Sequence, residues 1–551
     1  MLSHLFRKFR PHTTEPLQTL RGNGQVWYWR AGAAELLGGV PDLAVWMRSG
    51  LATLVKQNHQ RSIWKVALPA FTVYFKRSRA NTPRAWLRDI LRPSKAQLEF
   101  ENALALLAAG IGCTEPLAWG MTDGLWPGES FVITREQAGA VPLDAFLERP
   151  LSPRQRRTLA VSFGAFLAKL HRAGVAHPDA HPGNFLIEWP EDAPPNFFLL
   201  DIHAIRYTED MKAESEGTLL LLNRWFQMRT TRTDRLRFWK AFRQSLDATD
   251  ADRDEGRRAA RTLEGNTRRS NLRFWLHRLA RYLGNNREYR TFLSGAIRGH
   301  AVRDLHQDLL ALWLADPDFA FDRADATIRK DSRSSTVAVL SHASQRYVFK
   351  RFRRAGFATG WKNRLRPSAA LRSWVFGQSL RDRGLPTARP LAVAHRHRLG
   401  LPREGYLIFE FVAGAVELPV AVAGANLAER WRLADTLGRL LRDLHDRGVS
   451  HRDLKAANIL VAEERPVLID LVGVRLGLVI ADKERVRNLA RLNASFFTSA
   501  VPTRTDRLRF LRAYLSWSAW PAADWKKLWR AIGVETLAKV EKNRRSGRVL
   551  A

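Results

Sequence analysis

His445-Asp-Arg-Gly-Val-Ser-His451-Arg-Asp453-Leu-Lys455-Ala-Ala-Asn458-Ile-Leu-Val461, followed by Val467-Leu-Ile-Asp470, decides how the rest of the chain is read. An aspartate, an asparagine five positions on and a second aspartate ending a short apolar run lie in one short stretch. The residues leading into it, Leu433, Leu437, Leu440, Leu441 and Leu444, follow the i, i+3, i+4 spacing of a helix with one apolar face.

The same order occurs earlier. His171-Arg-Ala-Gly-Val-Ala-His177-Pro-Asp179-Ala-His181-Pro-Gly-Asn184 precedes Phe198-Leu-Leu-Asp201, after a helical pattern of Leu159, Phe163, Phe166, Leu167 and Leu170. Further pairs keep nearly the same offset. Phe75-Lys76-Arg77 answers Phe349-Lys350-Arg351, and Arg-Thr-Asp-Arg-Leu-Arg-Phe occurs at both Arg232–Phe238 and Arg504–Phe510. Such long-period self-similarity marks a duplicated domain and not a solenoid.

The chemistry follows from the residue types. One loop aspartate (Asp179, Asp453) is placed to accept the proton of an acceptor hydroxyl. The asparagine and second aspartate (Asn184 and Asp201; Asn458 and Asp470) offer hard oxygens to Mg²⁺, whose other ligands come from nucleotide phosphates and water. Lys455, two residues after Asp453, can direct its ammonium at the transferring phosphoryl, and His181 takes that place in the first copy. Lys76 and Lys350 end apolar, β-rich runs and are the candidate ATP lysines. Glu99, on the next predicted helix, is favoured over Glu101 as the partner of Lys76.

The second copy departs here. Aligning Pro93-Ser94 with Pro367-Ser368 sets Ser373 opposite Glu99, and no acidic residue occurs between Arg351 and Arg381. Neither copy carries a glycine-rich loop before its lysine strand. Gln57–Arg61 and Asp331–Ser335 stand there, so phosphate cover must come from other backbone amides or from Arg and Ser side chains.

With these residues both copies resemble the lipopolysaccharide kinase family that phosphorylates Kdo or heptose of the inner core. The glycine-poor loop, the Gly174-Val and Gly448-Val approaches, and the turns Gly110–Pro116 and Gly384–Pro390 carry the likeness. It implies an α+β chain of two tandem bilobal protein-kinase-like domains, each with a small β-rich N-lobe and a helical C-lobe. It also implies an ATP- and Mg²⁺-dependent phosphotransferase acting on a sugar or glycolipid acceptor. The expected domains are residues 1–315 and 316–551, with Asn271–Leu314 read as helices closing the first and Asp247–Arg258 as a charged connection. Two rivals share the catalytic set: a Ser/Thr protein kinase, and a kinase–pseudokinase pair whose second domain regulates or binds.

Composition sets outer bounds. The 551 residues exceed what one core usually serves, and 89 Lys and Arg against 54 Asp and Glu leave a net charge of +35. Such a surface attracts polyanions, including an anionic membrane surface, but no recognised nucleic-acid motif accompanies it. The single cysteine, Cys113, rules out an intrachain disulfide and reads as a small buried apolar residue. Met1–Arg10 has basic residues and no apolar segment after them, so the expected location is the cytoplasm, at most peripheral to the inner membrane. His177 and His451 read as loop-holding residues. The repeated Arg-Thr-Asp-Arg-Leu-Arg-Phe divides evenly between a polyanion site and a helix with Leu and Phe in the core and Arg in solvent.

Overall fold

The computed structural model describes residues 16–57, 60–79, 92–124, 128–208, 211–246, 253–353, 367–398, 401–516 and 524–546. The Met1–Arg10 segment, Asn58 and His59 of the first nucleotide loop, and residues 247–252 of the charged connection lie outside them. The chain forms two compact units, Met1–Thr267 and Arg268–Ala551.

The first unit begins with an antiparallel sheet of seven strands: β1 (Gln18–Gly22), β2 (Gln25–Trp29), β3 (Ala52–Gln57), β4 (Arg61–Ala67), β5 (Thr72–Ser78), β6 (Pro116–Thr122) and β7 (Ser130–Arg135). Their order across the sheet is β1-β2-β6-β7-β5-β4-β3. Side chains alternate between faces with period two. Val73 and Phe75 therefore join Trp27, Trp29, Trp46 and Phe131 in a core on one face. Lys76 is turned to the other face, directly opposite Val132 in register. There Val132 and Trp119 pack under Ala96, Phe100 and Leu104 of helix Lys95–Ala108. Ser94 caps that helix by accepting from the Gln97 N–H at 3.1 Å.

The helical half is organised on Pro153–Arg172. Ser152 and Gln155 form a reciprocal capping box there, and Pro153 takes the first turn, where no N–H is needed. Leu159, Phe163, Leu167 and Leu170 are buried, while Phe166 packs at the edge of the same core.

The second unit repeats this plan. Its strands lie in the order Tyr289–Ser294, Ile297–Val302, Pro390–Arg398, Leu401–Glu410, Gln345–Phe352, Ser335–His342 and Thr327–Asp331, the first unit's topology strand for strand. Helix Ala369–Asp382 replaces Lys95–Ala108, and Leu427–Asp446 replaces Pro153–Arg172, burying all five leucines of its predicted face.

Two readings of the sequence need correction. Residues 271–314 do not close the first domain. After helix Arg253–Arg278 they form the hairpin Tyr289–Val302, which pairs with Pro390–Arg398 and begins the second unit. The division thus falls at Thr267/Arg268 and not near residue 316. Each copy carries such a hairpin ahead of its core, β1–β2 in the first, and its Tyr and Trp residues belong to the sheet that follows. The other correction concerns the repeated heptapeptide. Leu236 is exposed, whereas Asp234 and Asp506 are buried as third residues of helices capped by Thr231 and Thr503. Arg235 binds Glu264 through two nitrogens, and Arg507 binds Asn493 and two backbone carbonyls. The repeat is a helix start with a tethered arginine, and its Phe238 and Phe510 pack against the helical cores as the core reading expects.

One glycine in the second unit has no room for any other residue. Gly448, between the long helix and the strand entering Asp453's loop, has φ +72°, and a Cβ there would sit 2.1 Å from the Gly477 carbonyl oxygen. Gly448→Ala is expected to destabilise the second unit by more than the ~1 kcal/mol ordinary for leaving glycine at positive φ. Urea unfolding followed by tryptophan fluorescence would show it.

Candidate active site

In the first unit the site is built by two backbone devices. The hairpin Phe185–Glu188/Asn196–Leu199 pairs Phe185 with Leu199, so Asn184 and Asp201 emerge from the same end. The Leu200 N–H donates to the Asn184 carbonyl at 2.8 Å and closes that end. Asp201 then takes a left-handed conformation, φ +55° and ψ +36°, rare for a residue with a side chain and characteristic of functional turns. Asn184 Nδ2 donates to the Asp179 carbonyl at 2.7 Å, which commits its amide nitrogen to the loop and leaves Oδ1 as the free-lone-pair end. The Asp179 side chain is exposed. His181 Nδ1 accepts from the Gly183 N–H at 3.1 Å, so a neutral ring carries its proton on Nε2.

Beneath the sheet lies a chain of charges. Lys76 Nζ binds Glu99 Oε1 at 2.5 Å, Arg61 binds Glu99 Oε2 at 2.9 Å, and the same guanidinium reaches Asp201 Oδ1 at 2.6 Å. Glu101 faces away from it and accepts from Gln97 at 2.8 Å. Burial works to raise the Glu99 carboxyl, but Lys76 and Arg61 beside it hold it below the usual carboxylate range. Asp201 is likewise held low, burial notwithstanding, chiefly by Arg61. Asn102 of the Glu99 helix donates to the Ile202 carbonyl at 2.7 Å and ties that helix to the Asp201 turn.

Arg61 and His203 were not singled out as site residues. His203 lies 3.6 Å from Asp201, and burial lowers the pKa of its ring. Glu99, Asp201 and His203 converge closely enough to hold a cation, but Glu99 already takes Lys76 and Arg61. The signal for Arg61 was present in strand register: it pairs with Ser78 of β5, two residues beyond Lys76, at the end of the glycine-poor loop.

The second unit assembles the same loop with a different charge chain. Ile459 pairs with Leu468, the Ile469 N–H donates to the Asn458 carbonyl at 2.9 Å, and Asp470 is left-handed at φ +54°. Asn458 Nδ2 donates to the Asp453 carbonyl at 2.8 Å. Lys350 Nζ binds Asp470 Oδ1 directly at 2.9 Å. Ser373, buried where the first copy has Glu99, donates to the Ala369 carbonyl of its own helix. The register that sets Val337 against Lys350, as Ile63 is set against Lys76, makes Ser335 the counterpart of Arg61. Arginine and glutamate are absent together. Lys455 is exposed beside Asp453.

The two loop histidines are structural in both units. His177 Nε2 bonds to the Leu200 carbonyl at 3.1 Å and His451 Nε2 to that of Asp470 at 3.2 Å, so each Nε2 is the donor. Burial pushes both rings below the ordinary histidine pKa and keeps them neutral. His451 Nδ1 also accepts from the Asp453 N–H at 3.1 Å, fixing the loop. Cys113 is buried against the Ala103 carbonyl, and burial pushes its thiol up to about 12. No helix among the described residues is long and apolar enough to cross a membrane.

The chain is similar to known proteins. The chain matches the Lipopolysaccharide kinase (Kdo/WaaP) family over residues 46–242 and again over 325–514. It is 30% identical over 230 residues to a 3-deoxy-D-manno-octulosonic acid kinase of Xylella fastidiosa, spanning 40% of this chain and 81% of that one. It is 29% identical over 159 residues to the lipopolysaccharide core heptose(I) kinase WaaP of Pseudomonas aeruginosa, spanning 27% of this chain and 59% of that one. A solved structure titled "WaaP in complex with acyl carrier protein" aligns with a TM-score of 0.33 at 22% identity, over 43% of this chain and 97% of the other. The two matched regions fall one in each unit and enclose Asp179 and Asp453 in turn, so the chain belongs to the lipopolysaccharide kinase (Kdo/WaaP) family twice over.

Proposed function

We propose that the protein transfers the γ-phosphoryl group of ATP to a hydroxyl of a lipopolysaccharide-core sugar, Kdo or heptose, and that the first unit performs the reaction. The observation that carries this is the complete lysine–glutamate–aspartate chain beneath the first sheet, Lys76–Glu99 and Asp201, beside an exposed Asp179. Lys76, fixed by Glu99, is positioned to hold the nucleotide phosphates. Asp179 orients the acceptor hydroxyl and takes its proton, with His181 lining the approach in place of a lysine. Asn184 Oδ1 and the half-exposed Asp201 are a hard-oxygen donor pair, the set that suits Mg²⁺. When bound, that ion neutralises charge on the phosphates. The protein's own contribution is positioning and electrostatics, as phosphoryl transfer demands.

In the second unit Lys350, Asp453, Lys455, Asn458 and Asp470 occupy the matching places, but Lys350 is held by Asp470 and not by a glutamate. That favours a nucleotide-binding or regulatory role there. The positive charge of the chain suits phosphorylated, lipid-linked acceptors and a peripheral position on an anionic cytoplasmic leaflet.

The test is transfer of labelled phosphate from Mg·ATP to deacylated lipopolysaccharide core by wild-type and Asp453→Asn proteins. The variant is expected to keep activity within about threefold of wild type, far from the 10²-fold or greater loss typical of a missing general base. A loss of that size would move the reaction to the second unit and overturn its assignment to the first. Wild-type protein that phosphorylates a protein substrate and no sugar would instead support the Ser/Thr kinase reading.

A further inference from the structure

The most unusual group in the first unit is the Arg61 guanidinium. It sits beneath the sheet with its side chain 19% exposed, between two carboxylates that phosphoryl transfer needs for different purposes. One limb holds Glu99, the anchor of Lys76. The other holds Asp201, the candidate cation ligand, at 2.6 Å. Burial opposes the charge on Arg61, yet Glu99 and Asp201 together more than offset that and leave the guanidinium more basic than usual. It is therefore cationic in this position. A guanidinium on Oδ1 of Asp201 and a divalent cation on the same carboxylate repel each other and draw on one negative charge, so each weakens the other.

Arg61 also begins β4 at the end of Gln57–Arg61, where a glycine-rich loop would cover the phosphates. The second unit supplies an internal control. Ser335 replaces Arg61, Ser373 replaces Glu99, and Asp470 turns to Lys350. The ion pairs change together: Lys76 and Arg61 bind Glu99 and Asp201 in the first pocket, whereas Lys350 binds Asp470 in the second, with Lys330 also acting on Asp470.

We propose that Arg61 is a nucleotide-binding residue of the first unit: without nucleotide it occupies Asp201 in place of a cation, and with nucleotide it passes that limb to the phosphates while keeping Glu99. This rests on the phosphotransferase reading and names the side chain that replaces the missing glycine loop. The guanidinium suits both positions, because its planar fork of donors fits carboxylate and phosphate alike. The assignment has a two-sided consequence. Removing Arg61 frees Asp201 for a cation and at the same time takes a donor from the phosphates, so the two affinities move in opposite directions. A merely structural arginine would weaken both.

The experiment compares wild type, Arg61→Gln and Arg61→Lys, all carrying Asp470→Asn to remove the second unit's cation ligand. Binding of Mn²⁺ alone is followed by the loss of its free electron-spin-resonance signal, and binding of Mg·ATP by calorimetry. Arg61→Gln is expected to bind Mn²⁺ about tenfold more tightly and Mg·ATP about tenfold or more weakly, the effect of one charge-assisted hydrogen bond. Arg61→Lys keeps a cation but lacks the planar fork that spans Glu99 and Asp201. It should shift both affinities in the same directions by less, and it stands in for the neutral variant if that one does not fold. Equal binding by all three proteins, or weakening of both ligands together, overturns the Arg61 assignment and leaves the phosphotransferase reading intact. Wild-type protein that binds no Mg·ATP overturns both.

Discussion

Asp179→Asn is expected to lower phosphoryl transfer to the sugar acceptor by about 10²–10⁴-fold, the range for removing a positioned general base. Binding of Mg·ATP should stay within about threefold of wild type, since that side chain contributes nothing to the lysine–glutamate chain. The substitution is suited to the purpose because the loop does not depend on the carboxylate. His181 N–H and Asn184 Nδ2 both bind the Asp179 backbone carbonyl, which the amide leaves untouched. Single-turnover transfer with labelled ATP measures the first quantity and calorimetry the second. Transfer within tenfold of wild type would remove Asp179 from the reaction. A parallel loss of nucleotide binding would show a collapsed loop.

Glu99→Ala should have the largest effect on stability. Glu99 is 3% exposed and accepts from both Lys76 and Arg61, and the alanine leaves two buried cations facing Asp201 alone. Breaking a buried ion pair from one side typically costs about 3–5 kcal/mol, because the remaining charge has lost its partner. Urea unfolding of the first unit would detect this as a lower midpoint at unchanged slope. Ser373→Ala, the counterpart in the second unit, removes one hydrogen bond to a helix carbonyl and should cost about 1 kcal/mol.

The same network sets a pH dependence. Glu99 and Asp201 are both held below their ordinary pKa. Their contribution is therefore fully present above the unfolded carboxylate value of roughly 4. It is lost as pH falls below that value, through the folded one. Wild type should lose stability over that acid range more steeply than Glu99→Ala. Identical acid profiles would mean that the charge chain contributes nothing to the fold.

Most of this site could be read from the sequence because its parts obey short-range rules. The spacing of Asp179 to Asn184 is fixed by one turn, Lys76 alternates with Phe75 on a strand, and Leu433 to Leu444 trace a helix face. The choice of Glu99 over Glu101 likewise follows from helix geometry, since residues two apart cannot face the same way. What sequence reasoning missed depends on partners distant in the chain. Arg61 and Asp201 are 140 residues apart, and only the pairing of β4 with β5 brings the arginine under the sheet. The hairpin Tyr289–Val302 was taken for helix because its Arg- and His-bearing strands alternate only weakly, and its identity rests on pairing with Pro390–Arg398. In the repeated heptapeptide, residue type left a polyanion site and a core-facing Leu and Phe equally open. Phe238 and Phe510 do pack against the cores, while the exposure of Leu236 and the Thr–Asp caps depend on where the helix starts.

The paired serines of the second unit, Ser335 and Ser373, also bear on how the two halves of a duplicated gene could drift apart. From an ancestor with both arginine and glutamate, losing the glutamate first strands two buried cations, and losing the arginine first leaves Lys76 and the two carboxylates out of balance. Going back is no easier, since a lone Ser335→Arg or Ser373→Glu places one uncompensated charge beneath a sheet. Either layout is separated from the other by an intermediate worse than both. Single substitutions therefore pass between the two layouts only through a pocket with an unpaired charge, so the residues at these two positions are tied to change together.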